Sequence, residues 1–342
     1  MRERKGCMGE TDHIMDKQAF LAAHGWSGAD VAPLTPDASF RTYARLTRGD
    51  ESRMLMTAPP AQENLPAYLQ ITEHLRGLGL RVPKVDASDT AAGLALIEDF
   101  GDATFTRLLK AGADERALYL LATDVLRVLH AHEGATAIDL PPYDMAALMR
   151  EVDLFIDWFV PAVRGTDVTD AEREAYHAAW ASALATVAAN RSALVLRDYH
   201  VDNLMVVGEG ALTDIGACGL LDYQDALIGS PAYDLVSLVE DARRDIASDI
   251  RAAVLEHYFE GMAAKDRAAF EADMALLGAQ RHAKVAGIFV RLSRRDGKDI
   301  YLVHVPRVLA LLERCLETPA LQAVRDVIEE IVPGYRALPL QS

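Results

Sequence analysis

Asparagine is nearly missing from this 342-residue chain, which holds only Asn64, Asn190 and Asn203. Cysteine is equally scarce: Cys7, Cys218 and Cys315 are scattered, odd in number and never spaced Cys-x-x-Cys. That excludes a disulfide framework and a cysteine zinc site, and points to the cytoplasm. No apolar run approaches the length of a membrane span. After the mildly basic residues 1–5 there is no apolar segment with a small-residue cleavage site, so no secretory signal is predicted, and Met8 and Met15 stand as alternative starts. Positive charge is in deficit, with 35 Lys and Arg against 51 Asp and Glu, a net charge of −16. Such a chain repels a phosphate backbone, which excludes the electrostatic footprint of a nucleic-acid binder. A Gly-x-Gly-x-x-Gly phosphate loop, an internal repeat and a low-complexity segment are all absent.

What is present suits a globular enzyme, 51% hydrophobic and 25% charged, long enough for two lobes. Residues 33–57 predict strands around turns, at Thr35-Pro36-Asp37 and at Gly49-Asp50, with Phe40, Tyr43, Leu46 and Met54-Leu55-Met56 as strand formers. A helix follows, carrying Leu65, Leu69, Thr72, Leu75 and Leu78 at spacings of three and four, with Pro66 in its first turn. Leu94-Ala95-Leu96-Ile97 predicts a short strand leading into the loop Glu98-Asp99-Phe100-Gly101. From about residue 104 the pattern is helical, as in the stripes Leu118, Leu121, Val125, Leu129 and Leu255, Tyr258, Phe259, Met262. The fold class is therefore α+β: a small β-rich lobe over residues 1–97, a hinge at 98–103, and a larger, mainly helical lobe over 104–342.

Between residues 193 and 223 three short apolar runs interrupt the helices, and the loops between them carry the chemistry. Phosphoryl transfer needs a group that orients the attacking hydroxyl and accepts its proton, and oxygen ligands that hold magnesium against the phosphates. In Leu196-Arg197-Asp198-Tyr199-His200-Val201-Asp202-Asn203 an Asp precedes an Asn by five positions, the spacing of a catalytic loop. A second carboxylate, Asp222, ends the run Gly219-Leu220-Leu221, where a magnesium-holding Asp belongs. Asp198 and Asp222 are also what strand-end turns commonly contain.

Three segments together, Arg197-Asp198 through Asn203-Leu204-Met205, Leu221-Asp222-Tyr223-Gln224-Asp225 and Tyr233-Asp234-Leu235, resemble the aminoglycoside phosphotransferase and choline kinase superfamily, relatives of the protein kinases. Pro36-Asp37-Ala38-Ser39-Phe40-Arg41, Ala58-Pro59-Pro60, Glu98-Asp99-Phe100-Gly101, the segment from Gln280 to Phe289, and Arg295-Asp296-Gly297-Lys298 resemble one branch, the bacterial anomeric N-acetylmuramate/N-acetylglucosamine kinases. The likeness runs over roughly residues 16 to 330. It implies a protein-kinase-like two-lobed fold, ATP and Mg2+ as cofactors, and an amino-sugar substrate phosphorylated on its anomeric hydroxyl in peptidoglycan recycling. By the same likeness Asp198 is the catalytic base, and Asn203 and Asp222 are the magnesium ligands. Glu98, Asp99 and Phe100 form the adenine hinge, and Ser39, Phe40, Arg41 and Tyr43 cover the phosphates.

Two positions depart from that pattern. Leu196 stands where the superfamily usually has His, a structural position. The third-strand lysine that grips the phosphates has no counterpart in Arg53-Met54-Leu55-Met56-Thr57, which leaves Arg41 or Arg45 for its role. Glu63 and Glu73, in the predicted helix, are alternative acidic partners, and Asp234 is predicted to brace the catalytic loop. Gln224 and Asp225 are candidate substrate contacts, as are Arg281, Lys284 and Arg291, which share a helical stripe with Arg295 in an otherwise acidic chain. The stripe also fits a face paired with carboxylates of its own protein; lining a cleft, it favours an anionic sugar such as N-acetylmuramate over a cationic aminoglycoside. His200, His282 and Trp158 fit structural roles. The rival readings are another hydroxyl kinase of this fold, acting on an aminoglycoside, choline or homoserine, and a nucleotide-binding pseudokinase scaffold. No nucleic-acid, membrane or obligate protein partner is predicted.

Overall fold

The computed structural model describes residues 17–35, 39–208, 210–337 and 339–340. The turn predicted at Pro36-Asp37, together with Ala38, Cys7, Met8 and Met15, lies outside the described residues.

The chain enters through a helix at residues 17–23 (α1) and builds an antiparallel sheet from β1 (Asp30–Pro33), β2 (Thr42–Arg48), β3 (Glu51–Thr57), β4 (Val85–Asp89) and β5 (Leu94–Glu98), in the order β1-β2-β3-β5-β4. Gly49 at φ +58° and Asp50 make the tight β2–β3 turn, a conformation that favours glycine. Between β3 and β4 lies α2 (Leu65–Gly77), capped by Asn64, whose side chain accepts from the Ala67 N–H at 3.1 Å. Its buried face is Leu65, Tyr68, Ile71, Thr72 and Leu75; the predicted stripe members Leu69 and Leu78 are only partly buried.

The remainder is mainly helical: α3 (Phe105–Lys110), α4 (Glu115–Ala131), α5 (Met145–Leu154), α6 (Val160–Arg164), α7 (Asp170–Leu184), α8 (Ala232–Val239), α9 (Ser248–Tyr258), α10 (Ala264–Asp296), α11 (Val305–Leu316) and α12 (Gln322–Ile331). The predicted stripe on α4 is fully buried. A π-helical turn, Phe155–Phe159, joins α5 to α6. There the Val160 N–H reaches Phe155 O, next to Pro161, which has no N–H to continue the regular ladder. Two antiparallel ribbons form here, β6 (Ala193–Val195) with β9 (Leu227–Gly229) and β7 (Leu204–Val206) with β8 (Cys218–Leu220); β6, β7 and β8 occupy the interruption read from the sequence, and β9 lies just beyond it. No helix among the described residues is long and apolar enough to cross a membrane.

The sheet buries its two faces differently. On the outer face Phe20, Leu21 and Trp26 pack on Leu46, Leu55, Leu94 and Leu96 as a small separate cluster. On the inner face Met56, Ala95 and Ile97 join Ile71 and Leu75 of α2 in one continuous apolar cluster with Leu118, Leu121 and the rest of the helical part.

Candidate active site

β6, buried along its length, leads into Leu196, which is buried as well, and then into Arg197 and Asp198, which are half-buried. Arg197 sits at φ +71°, a left-handed backbone that costs an ordinary L-residue about 1–2 kcal/mol. Asp234 on α8, wholly buried, holds this turn: its carboxylate accepts from the Leu196 N–H at 2.7 Å and the Arg197 N–H at 2.8 Å. Burial pushes the Asp234 carboxyl up to about 7 against the pull of those two donors. Asn203 ends a short 3-10 turn, Val201–Asn203, and its Nδ2 donates to Asp198 O at 3.0 Å, which leaves the amide Oδ1 as an acceptor. The β7–β8 ribbon pairs Leu204 with Leu220, and the Leu221 N–H donates to Asn203 O at 2.9 Å. Asn203 and Asp222, 19 positions apart in the chain, therefore leave the same end of one ribbon. Asp222 is also left-handed, at φ +59°, a region Asp tolerates better than most residues.

Desolvation opposes the charge of recessed Asp198, but Lys284, His200, Arg281 and Arg197 outweigh it and hold the carboxyl below its ordinary value. Asp222 is more open, 39% exposed, and meets Arg41 of the sheet lobe, whose Nη2 donates to Oδ1 at 2.5 Å. Gln224 Nε2 donates to the same oxygen at 3.1 Å and to Asp225 at 3.2 Å. Arg41 is itself only 7% exposed, with Nε 3.4 Å from Glu63. Its Nε and Nη1 are buried without a hydrogen-bond acceptor, an arrangement that calls for an anionic oxygen. Glu63 lies in the turn before α2, not in the helix, and accepts from the Phe40 N–H at 3.1 Å, whereas Glu73 faces water.

Arg45, the other candidate cation, is engaged elsewhere. It donates to Asp99, Asp102 and Gly101 O, clipping β2 to the segment after β5. Glu98 turns its carboxylate to Arg81 in a two-pronged pair at 2.8 and 2.5 Å, and the Arg81 guanidinium stacks 4.6 Å over the Phe100 ring. Ser39 and Phe40 are exposed, and the Tyr43 side chain is partly buried against the main core.

A model of the phosphotransferase enzyme family matches residues 30–271, well over half of the chain and every position just described from Ser39 to Asp225. The chain belongs to this phosphotransferase family. It is 36% identical to the N-acetylmuramate/N-acetylglucosamine kinase of Caulobacter vibrioides over 93% of this chain and 96% of that protein. To the N-acetylmuramate/N-acetylglucosamine kinase of Pseudomonas aeruginosa it is 33% identical, over 93% and 94%. Among solved structures, choline kinase LicA from Streptococcus pneumoniae superposes with a TM-score of 0.60 at 15% identity, over 88% of this chain and 99% of that one. ADP-bound aminoglycoside phosphotransferase APH(2'')-Ib gives 0.58 at 14%, over 88% and 99%. The kinase-like two-lobed fold predicted from the sequence is thus established.

In this phosphotransferase the basic stripe of α10 grades from interior to solvent. Arg281 and Lys284 are buried, Arg291 is half-buried and Arg295 is exposed. Arg281 donates to Ser237 at 2.6 Å, Lys284 donates to Glu151 at 2.8 Å and to Tyr233 at 3.3 Å, and Arg291 Nε is buried without an acceptor. The Lys284 ammonium is spent within the protein. His282 pairs with buried Glu240 at 2.8 Å, and His200 lies 3.4 Å from Arg243. Trp158 sits partly buried in the π turn. Cys218 and Cys315 are free and buried. Glu151 was missed: it accepts from Lys284, Gln280, Arg197 and Tyr143. Its one sequence signal is an acid on the apolar face of α5, among Ala147, Leu148 and Val152.

Proposed function

We propose that this phosphotransferase is a cytoplasmic ATP-dependent kinase that phosphorylates the anomeric hydroxyl of N-acetylmuramate and N-acetylglucosamine in peptidoglycan recycling. The observation that carries the site is the Asn203 amide bonded to Asp198 O at 3.0 Å, with Asp222 at the same ribbon end and met there by Arg41. Asn203 Oδ1 and the Asp222 carboxylate are an all-oxygen donor pair, the ligand chemistry that suits magnesium. The ion, when bound, neutralises charge on the phosphates. Arg41, in place of a third-strand lysine, offers the phosphates its unsatisfied Nη1, its Nε lying beside Glu63 and its Nη2 on Asp222, with Ser39, Phe40 and Tyr43 beside it. Residues 98–103 serve as the hinge, and Glu98, Asp99 and Phe100 present backbone to adenine.

Asp198, kept ionised by the surrounding cations, accepts the proton of the sugar hydroxyl. The hydroxyl oxygen bonds the γ-phosphorus, the bond to the bridging oxygen breaks, and its electron pair leaves with ADP. An anomeric hydroxyl is more acidic than an ordinary alcohol, so a weak base suffices. Arg281, Lys284 and Arg197 all act on Asp198, a field that suits an anionic acceptor better than a cationic aminoglycoside. Arg291, whose buried Nε has no acceptor, is the candidate for the lactyl carboxylate, and Gln224 and Asp225 for sugar hydroxyls. The enzyme is incubated with ATP, magnesium and, separately, N-acetylmuramate, N-acetylglucosamine, kanamycin, choline and homoserine, and products are read by phosphorus NMR. A sugar 1-phosphate signal is expected from the first two alone; transfer only to another acceptor, or none, rejects the reading.

A further inference from the structure

The catalytic loop carries a conformational cost that its own turn does not explain. Arg197, directly before Asp198, holds a left-handed φ of +71° that a long branched-free side chain does nothing to favour and that glycine adopts freely. Asp234 grips the turn from one side through two backbone N–H groups. From the other side the turn is held by the Arg197 side chain. Its Nη2 donates to Glu151 and its Nη1 to Asp225 O at 3.2 Å, while its guanidinium lies 5.8 Å from the Tyr143 ring centre.

Glu151 is the fixed end of this anchor. It is 9% exposed on α5, and three further donors converge on it: Lys284 Nζ at 2.8 Å, Gln280 Nε2 at 2.8 Å, and the Tyr143 hydroxyl. Two of those donors come from α10, so the carboxylate is clamped between two helices before Arg197 reaches it. Lys284 and Arg197 bond Glu151, and both act with Arg281 on Asp198, so each carboxylate has cations beside it and the cluster can stay ionised out of water.

We propose that Glu151 is a positioning residue: through the Arg197 guanidinium it stabilises the left-handed backbone that aims Asp198, while the same guanidinium, donating to Asp225 O, ties that loop to the loop of Asp222. The proposal rests on the functional reading above for the role of Asp198, but its conformational core does not depend on the acceptor. It predicts an order that charge alone does not. Arg197→Gly removes the anchor and the strain together, Arg197→Ala removes the anchor and keeps the strain, and Arg197→Lys keeps the charge and loses the fork.

The test compares these three variants, with Glu151→Gln made in both the wild-type and the R197G backgrounds. Thermal midpoint is read without substrate; kcat and KM are read with ATP and N-acetylmuramate. R197G is expected to melt higher than R197A and to exceed both R197A and R197K in kcat by about tenfold, with KM for ATP held. Glu151→Gln is expected to lower kcat about tenfold in the wild-type background and less than twofold in R197G. R197K outperforming R197G, or an equal loss from Glu151→Gln in both backgrounds, overturns the proposal. Should no variant nor the wild type phosphorylate the sugar, the functional reading fails, and the melting order of R197G against R197A alone decides the anchor. Glu151 variants that do not fold leave the three Arg197 variants, which retain the Lys284–Glu151 pair, to decide it.

Discussion

Asp198 and Arg41 pose different questions at the scale of single residues. Under the proposed function Asp198→Asn keeps the shape and removes the base, so turnover should fall by roughly two to four orders of magnitude while ATP affinity stays within a few-fold; steady-state kinetics beside nucleotide titration calorimetry checks both halves. Arg41→Met removes charged hydrogen bonds of about 1.5–3 kcal/mol, so KM for ATP should rise roughly tenfold to a hundredfold. An Arg45→Met variant should leave it far less changed, because Arg45 is bound to Asp99 and Asp102. The spacing of Asp198 and Asn203 and the strand-end setting of Asp222 are legible local features, but on their own they also fit strand-end turns. Their proposed roles come from the resemblance, and the structure brings Asn203 onto Asp198 O and to the ribbon end that carries Asp222. Choosing between Arg41 and Arg45 was not possible from sequence: both lie in the same strand region, and their partners are 181 and 54 positions distant. Glu151 carries one local signal, an acid on the apolar face of α5, but nothing within that helix announces the four donors it meets.

The elements show a similar division. The helix over Leu65–Gly77, the β2–β3 turn and the short runs of 193–223 followed from periodicity and turn chemistry. The three-residue strand β9 and the π turn did not, because their hydrogen bonds depend on distant partners and on a proline ladder break. Helix α10, 33 residues long, spans about 50 Å at 1.5 Å per residue, and its basic positions hid the role of its glycines. A Cβ on Gly287 would lie 2.1 Å from Leu154 O, so the helix crosses the end of α5 backbone to backbone. Helix propensity favours alanine there by about 1 kcal/mol, whereas the contact penalises it. Gly287→Ala should therefore destabilise by about 1–3 kcal/mol, seen as a lower urea midpoint.

Across the whole molecule, buried carboxylates set the response to pH. Burial raises Glu151 and Glu240, but Lys284 and Arg197 in the one case, and His282 and Arg314 in the other, overcome it and hold each at about 2. An unfolded glutamate titrates near 4.3. The stability these two contribute is therefore complete above about pH 4.3 and is lost as pH falls toward about 2. Asp234 has the opposite sign: raised to about 7, its share is fully present below about pH 3.9 and is lost as pH rises through 7. Urea unfolding between pH 6 and pH 3 should show a steep acid loss that Glu240→Gln makes shallower; an unchanged slope rejects the assignment to Glu240.

The apolar cluster that runs from Met56 and Ile71 into Leu118 and Leu121 makes the connection at residues 98–104 mechanically less important than its position suggests. Cutting the peptide chain beside exposed Gly101 and Asp102 should give two bands on a denaturing gel yet one particle of intact mass in native size-exclusion chromatography. The halves would stay joined by shared oil rather than by a peptide link, and separation on the native column would show that the seam is not held that way.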